Sequence, residues 1–339
     1  MQATDILAGP ILRRVERDLV TVWVALSAPA TVDIEVFRGQ GTRGDLQPVP
    51  RRAAAAPTDT QTIRIGEHLH CVVSIWEPAE TVGLNPGELY SYDLLISPTG
   101  DTPARLGDLG LLSDHAAAPP WLALGYQDGW LPSFATVPND IADLKLIQGS
   151  CRGSTELGRD AFPPVDDLIR ATLTDASQRP HLMFLTGDQI YADESAAEQL
   201  EMIQIVSRYL LGGQESITVD FPAVKTKART EDPDPGVVFP LTHFAPARRG
   251  HPLNDIARFT STSTDSHMMG VGEYAALYLS AWSTVTWNSA TTTPAPAEPW
   301  AWDPVGILKA RKDVFDVYVR ILQQMYAKLI NSACSGSKK

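Results

Sequence analysis

Through the first hundred residues, apolar and polar positions tend to alternate with a period of two. Val20-Thr21-Val22-Trp23-Val24-Ala25-Leu26 is β-branched and partly alternating, and Val32-Asp33-Ile34-Glu35-Val36-Phe37 alternates cleanly. Runs of this kind predict half-buried strands. Others span 61–65, 69–76 and 89–96, separated by turn signals such as Ala28-Pro29-Ala30, Arg38-Gly39 and Leu84-Asn85-Pro86-Gly87. Short strands between turns, with Tyr90-Ser91-Tyr92 in the last, predict an immunoglobulin or fibronectin III-like β-sandwich as an N-terminal domain over 1–112. That fold alone assigns no activity.

The rhythm breaks over 113–142. Ala116-Ala117-Ala118-Pro119-Pro120 and the Pro-, Gly- and aromatic-rich stretch 125–138 predict a connector laid over a neighbouring domain, anchored by Trp121, Trp130 and Phe134. From 143 the pattern becomes strand, helix, strand. An apolar run over 144–148 ends at Gly149-Ser150-Cys151, and Val165, Leu168, Ile169 and Leu173 share one helical face. A second apolar run, His181-Leu182-Met183-Phe184-Leu185, ends at Thr186-Gly187-Asp188. This is the βαβ rhythm of a parallel α/β sheet, in which active groups gather beyond the carboxyl ends of strands. A helix is expected over 196–211, and another around 273–282. The Pro-rich stretch 220–254, with Arg248-Arg249, reads as a solvated inserted loop. Asp303-Pro304 opens an amphipathic helix running to Leu329.

Composition sets outer bounds. The 339 residues hold 28 Lys and Arg against 40 Asp and Glu, a net charge of −12, so nucleic acid is not expected as the main partner. A hydrophobic share of 44% and a charged share of 20% exclude whole-chain disorder. No signal peptide is visible, and the least charged window, 274–297, is too interrupted by Thr, Ser, Asn and Pro for a membrane span. A cytoplasmic protein is expected. Cys71, Cys151 and Cys334 are too few and too scattered for a disulfide framework. Cys71 lies in an apolar run and reads as a small buried hydrophobe, and Cys334 sits in a polar tail.

Cys151 differs from both, because it stands with Asp188 at neighbouring strand ends. A strand-end carboxylate has two oxygens that can serve two cations. A thiolate and a phenolate are anionic ligands suited to trivalent iron, and Tyr191, three residues after Asp188, can turn back to the same ion. Gly149-Ser150-Cys151-Arg152 and Gly187-Asp188-Gln189-Ile190-Tyr191-Ala192-Asp193 resemble the PhoD-like (alkaline phosphatase D) metallophosphatase family. The order of further words supports the resemblance: Gly9-Pro10, Asn85-Pro86-Gly87 and Tyr90-Ser91-Tyr92 precede them, and Phe259-Thr260-Ser261-Thr262 and Gly272-Glu273-Tyr274 follow.

The resemblance implies a β-sandwich domain followed, over 143–339, by a calcineurin-like four-layer α/β metallophosphatase domain. It further implies iron held by Cys151, Asp188 and Tyr191, with Asp188 bridging to calcium and Arg152 as a phosphate contact. A small-molecule phosphate ester would be the substrate, hydrolysed as monoester or diester. The family continues with an Asp-Asp-His-Glu segment and later His or Asp ligands, and none of the seven histidines here stands in such a setting. The domain is therefore expected to be incomplete, a family member cut short on its carboxyl side. No residue is assigned as acid, base or nucleophile. The alternative is a truncated, non-catalytic relative acting as a binding or residual structural protein.

Other constellations have plainer readings. Asp193-Glu194 is expected to be solvated or capping. Asp265, Ser266 and His267 invite a hydrolase triad, but no Gly-x-Ser-x-Gly elbow accompanies them. His68 and His70 read as an exposed strand face, and the four-residue period of Tyr274, Tyr278 and Trp282 as core packing.

Overall fold

The computed structural model describes residues 6–52, 60–79, 83–113, 123–152, 162–193, 195–219, 237–241, 244–257 and 259–283. Its first half consists of β1 (Ile6–Glu16), β2 (Leu19–Leu26), β3 (Ala30–Arg38), β4 (Gln47–Pro48), β5 (Thr60–Gly66), β6 (Leu69–Trp76), β7 (Leu89–Pro98), β8 (Ala104–Arg105) and β9 (Ser133–Ala135). These form two antiparallel sheets, one ordered β1-β2-β6-β5 and the other β4-β3-β7-β8 with β9 also paired to β7. Alternation explains how they face each other. Val20, Val22, Val24 and Leu26 of β2 and Val72 and Trp76 of β6 point inward, against Val32, Ile34 and Val36 of β3 and Tyr90, Tyr92, Leu94 and Ile96 of β7. Each such buried side chain contributes roughly 1.5–3 kcal/mol. A β-rich N-terminal domain of antiparallel sheets is thus present.

This domain takes in more chain than 1–112. Within the expected connector, β9 pairs Leu89 with Ala135 and Ser91 with Ser133, and Leu131 and Phe134 are buried in the sandwich core. Periodicity missed β9 because a strand of three residues is too short to show any.

The second half contains β10 (Leu146–Gly149), α1 (Phe162–Ala171), β11 (Leu182–Leu185), α2 (Ala197–Leu211), the hairpin of β12 (Ser216–Val219) and β13 (Val237–Pro240), and α3 (Val271–Trp282). β10 and β11 are parallel, with Leu146 opposite Leu182 and Gly149 opposite Leu185. Among the described residues this parallel sheet has two strands. The amphipathic helix expected from Asp303 lies outside the described residues.

A third layer joins the halves. The face of the first sheet turned away from the sandwich core carries Leu7, Ala8, Ala25 and Leu69, which pack on Leu200, Ile203 and Leu210 of α2 and on Ala276 and Leu279 of α3. The turn between β5 and β6 also caps α2: the Glu67 N–H donates to Leu211 O at 3.3 Å and the His68 N–H to Leu210 O at 3.0 Å. These are carbonyls that a helix end leaves without intrahelical partners. A Cβ on Gly66 would lie 2.2 Å from Leu210 O, so only glycine permits this approach. His68 stacks on Tyr209 with ring centroids 4.5 Å apart, and His70 is buried. The exposed histidine face expected from sequence is therefore absent, because the face is occupied by α2.

The stretch expected to be a solvated insertion is also corrected in part. Beyond its undescribed residues it supplies β13 and the buried Leu241, Phe244, Arg249 and Leu253. Arg249 is fully buried. It donates from Nη2 to Glu273 Oε1 at 2.7 Å, from Nη1 to Glu273 Oε2 at 2.8 Å and to His267 O, and from Nε to Phe244 O. Glu273 also accepts from Gln204 Nε2 at 3.0 Å and from the Met269 N–H at 2.8 Å. Glu215 caps the start of α3, accepting from Val271 and Gly272 N–H. Tyr274, expected in the core, is 40% exposed, because Glu273 rather than Tyr274 faces α2. No helix among the described residues is long and apolar enough to cross a membrane.

Candidate metal centre

The parallel register of β10 and β11 brings their carboxyl ends side by side, and the backbone then stitches the tips together. Thr186 N–H donates to Gly149 O at 2.9 Å and Arg152 N–H to Asp188 O at 2.7 Å. Gly187 permits the approach. A Cβ there would lie 2.6 Å from both the nitrogen and the sulfur of Cys151 and 2.7 Å from Ser150 Oγ. Any larger residue would push the sulfur away from the second strand tip.

Two of the predicted residues meet at this junction. Cys151 is exposed, and its sulfur accepts a hydrogen bond from the Ser150 hydroxyl at 3.7 Å. The polar influence of Tyr191, then of the Asp188 backbone and Ser150, holds the Cys151 thiol below its ordinary range, against burial and the negative charge of the Asp188 carboxylate. Stabilised thiolate is the form that binds metals. Cys151 and Asp188 thus stand side by side just beyond two neighbouring strand ends, with Tyr191 three residues after Asp188. Among the described residues, no group of three or more His, Cys, Asp and Glu side chains is placed to hold a metal. Here Cys151 and Asp188 supply two such donors, and the third is a phenol.

Arg152 takes a different direction. Its guanidinium lies 4.9 Å from the centroid of the Phe162 ring and 5.6 Å from that of Trp282, and Nη1 donates to Ala281 O at 3.1 Å. A cation at the carboxyl end of α3 is favourably placed against the helix dipole. Its contacts tie β10 to α1 and α3.

The remaining candidates have ordinary partners. Asp193 accepts from Ser261 Oγ at 2.6 Å, and Glu194 lies outside the described residues. His267 is buried, with Nδ1 2.6 Å from Met268 O and its ring edge-on to Phe259, while the Ser266 hydroxyl accepts from Ala247 N–H. Neither contact is the Ser–His bond of a triad. Cys71 is half-buried, and burial pushes its thiol up. Sequence reasoning passed over Gln189, whose Nε2 donates to Ser150 O at 3.1 Å and to Gly187 O at 2.9 Å. A single polar residue between two candidate ligands offers no periodic signal, so only tertiary placement marks it.

No protein-family model matches the chain, and no curated protein matches it. Among solved structures, the archaellum periplasmic stator protein FlaG from Sulfolobus acidocaldarius is 13% identical over 31% of this chain and 97% of that chain. Its TM-score is 0.17, which carries no argument about fold or function.

Proposed function

We propose that the chain is a PhoD-like, metal-dependent phosphoric ester hydrolase whose iron is held by Cys151, Asp188 and Tyr191. The observation that supports the reading is the placement of Cys151 and Asp188 just beyond the carboxyl ends of two paired parallel strands, where the Arg152 N–H donates to Asp188 O at 2.7 Å. The donor chemistry fits the ion: three groups that are anionic when bound suit a hard, trivalent cation better than magnesium. When bound, such an ion supplies Lewis acidity and a water of lowered pKa. The chain's own part is to present the donors, with Asp188 also able to bridge to calcium. Arg152 stays outside this role, since its guanidinium faces Phe162, Trp282 and Ala281. In this reading residues 143–339 belong to an α/β metallophosphatase domain, and the substrate is a small phosphate ester.

A second reading, a non-catalytic relative that binds metal or a partner, draws on a different observation. Leu146, Met183 and Phe184 of the two parallel strands are 47–49% exposed, whereas parallel sheets normally have both faces covered. One experiment separates the two. Purified protein is assayed for iron, for a tyrosinate-to-iron absorption band and for hydrolysis of an aryl phosphate. The hydrolase reading expects all three, each lost in Cys151→Ala. Iron and the band without hydrolysis would support the second reading, and a metal-free protein inert after iron addition would overturn the metal site.

A further inference from the structure

The pair of β10 and β11 carries an open apolar face. Successive residues of a strand point to opposite faces, and residues opposite each other in a parallel pair point the same way. Leu146 with Leu182, and Gln148 with Phe184, therefore share one face. On it Leu146 and Phe184 are 48% and 49% exposed, and Leu182, which adjoins both, is half-buried. Strands of a parallel sheet are ordinarily covered on both faces. Large apolar side chains gathered on an open surface mark a place that something covers.

One stretch of this chain has the matching character. Over 303–329, Ile307, Val314, Phe315, Tyr318, Ile321 and Leu322 recur at three-, four- and seven-residue spacing, the pattern of one helical face. These 27 residues hold five Lys and Arg against three Asp, a charge of +2 in a chain of −12, so the remainder carries −14. Near the open face, Asp140 and Asp143 before β10 and Asp175 in the connection before β11 are exposed, with Lys145 as a neighbour. The path is short as well. The Trp282 ring at the end of α3 meets the Phe162 ring at the start of α1, centroids 5.7 Å apart, and Arg152, just past β10, lies against both rings. The chain thus leaves α3 beside the crossover helix of this strand pair. Nineteen residues separate Ser283 from Asp303. Fully extended they reach about 60 Å, against roughly 15 Å for the length of α1. A tether of this kind presents the segment at an effective concentration in the millimolar range. A second copy has to approach against a net charge of −12 on each chain.

We propose that residues 303–329 cover this face, laying the apolar stripe of an amphipathic helix on Leu146, Leu182 and Phe184. The face is then an internal surface of the chain, closed to a partner protein. The inference goes beyond the metal-site reading and uses none of its ligands.

The test uses the full-length protein with p-benzoylphenylalanine in place of Phe184, photolysed and mapped by mass spectrometry. Crosslinks are expected in residues 303–329 of the same chain. Photolysis of a mixture of nitrogen-15-labelled and unlabelled protein tells one chain from two. A crosslink between labelled and unlabelled chains, a crosslink only to other parts of the same chain, or none at all would overturn the proposal. Amide hydrogen exchange gives an independent readout. Leu146→Ser/Phe184→Ser is expected to raise exchange across 303–329 roughly tenfold, with exchange in α2 as in the parent. Should the double variant also lose protection in α2, Phe184→Ala takes its place, with a rise of about threefold expected. Exchange across 303–329 as fast as in an unstructured peptide in the parent, or unmoved in the variants, would equally overturn the docking.

Discussion

Arg249→Met tests the buried pair that joins the Pro-rich stretch before α3 to α3 itself. Both partners are fully buried, and the guanidinium makes two charged bonds to Glu273 and two to the carbonyls of His267 and Phe244. Removing it strands a carboxylate with Gln204 and the Met269 N–H as its near donors and leaves two carbonyls without this partner. Breaking one side of a buried pair costs about 3–5 kcal/mol. That is a large share of a typical total of about 5–15 kcal/mol. With a guanidinium chloride m-value of about 4 kcal/mol/M, the midpoint falls by roughly 1 M. Tryptophan fluorescence reads the transition, because Trp282 sits at the end of α3. The double variant Arg249→Met/Glu273→Met removes both charges and is expected to be more stable than either single variant.

The same pair sets a pH dependence. Burial alone would push Glu273 up, but the hydrogen bonds and charge of Arg249, with Met269 N–H and Gln204, outweigh it and hold the carboxyl below its usual 4.5. A depressed folded pKa means that the contribution is present above the unfolded value and lost as pH falls through the folded one. Stability is therefore expected to decline below about pH 4.5 in the parent, and less steeply in the double variant. A midpoint unmoved by Arg249→Met, or a double variant as weak as the sum of the single ones, would refute the account.

Two further outcomes follow from the seams of the fold. Gly66→Ala places a Cβ against Leu210 O and Leu211 Cα, so it is expected to cost about 1–3 kcal/mol and to raise amide hydrogen exchange in the last turn of α2. Exchange unchanged in α2 would show that the β5–β6 turn does not hold that helix end. Glu215→Ala removes the carboxylate that accepts from Val271 and Gly272 N–H, and is expected to cost about 1 kcal/mol in thermal or chemical melts. The loss should shrink as salt is added, since part of it is charge against the helix dipole.

What the sequence by itself determined is the local geometry. Val32 to Phe37 alternate because one side of β3 must be apolar, and the run is a strand wherever it is placed. The two apolar runs ending at Cys151 and Asp188, one crossover apart, became β10 and β11 in parallel register, and so the candidate donors were legible as a pair of strand tips. What covers a second face is not written in a period of two. Leu7, Ala25 and Leu69 lie under α2 and α3, helices more than a hundred residues further along, and only the tertiary structure decided that. The partnership of Arg249 with Glu273, 24 residues apart, was equally hidden, because a lone arginine in a Pro-rich stretch is ordinarily solvated. Gln189 is a last instance. A carboxamide bonds whichever acceptors are in reach, and those acceptors are main-chain carbonyls that exist at that spacing only once two strands have come together.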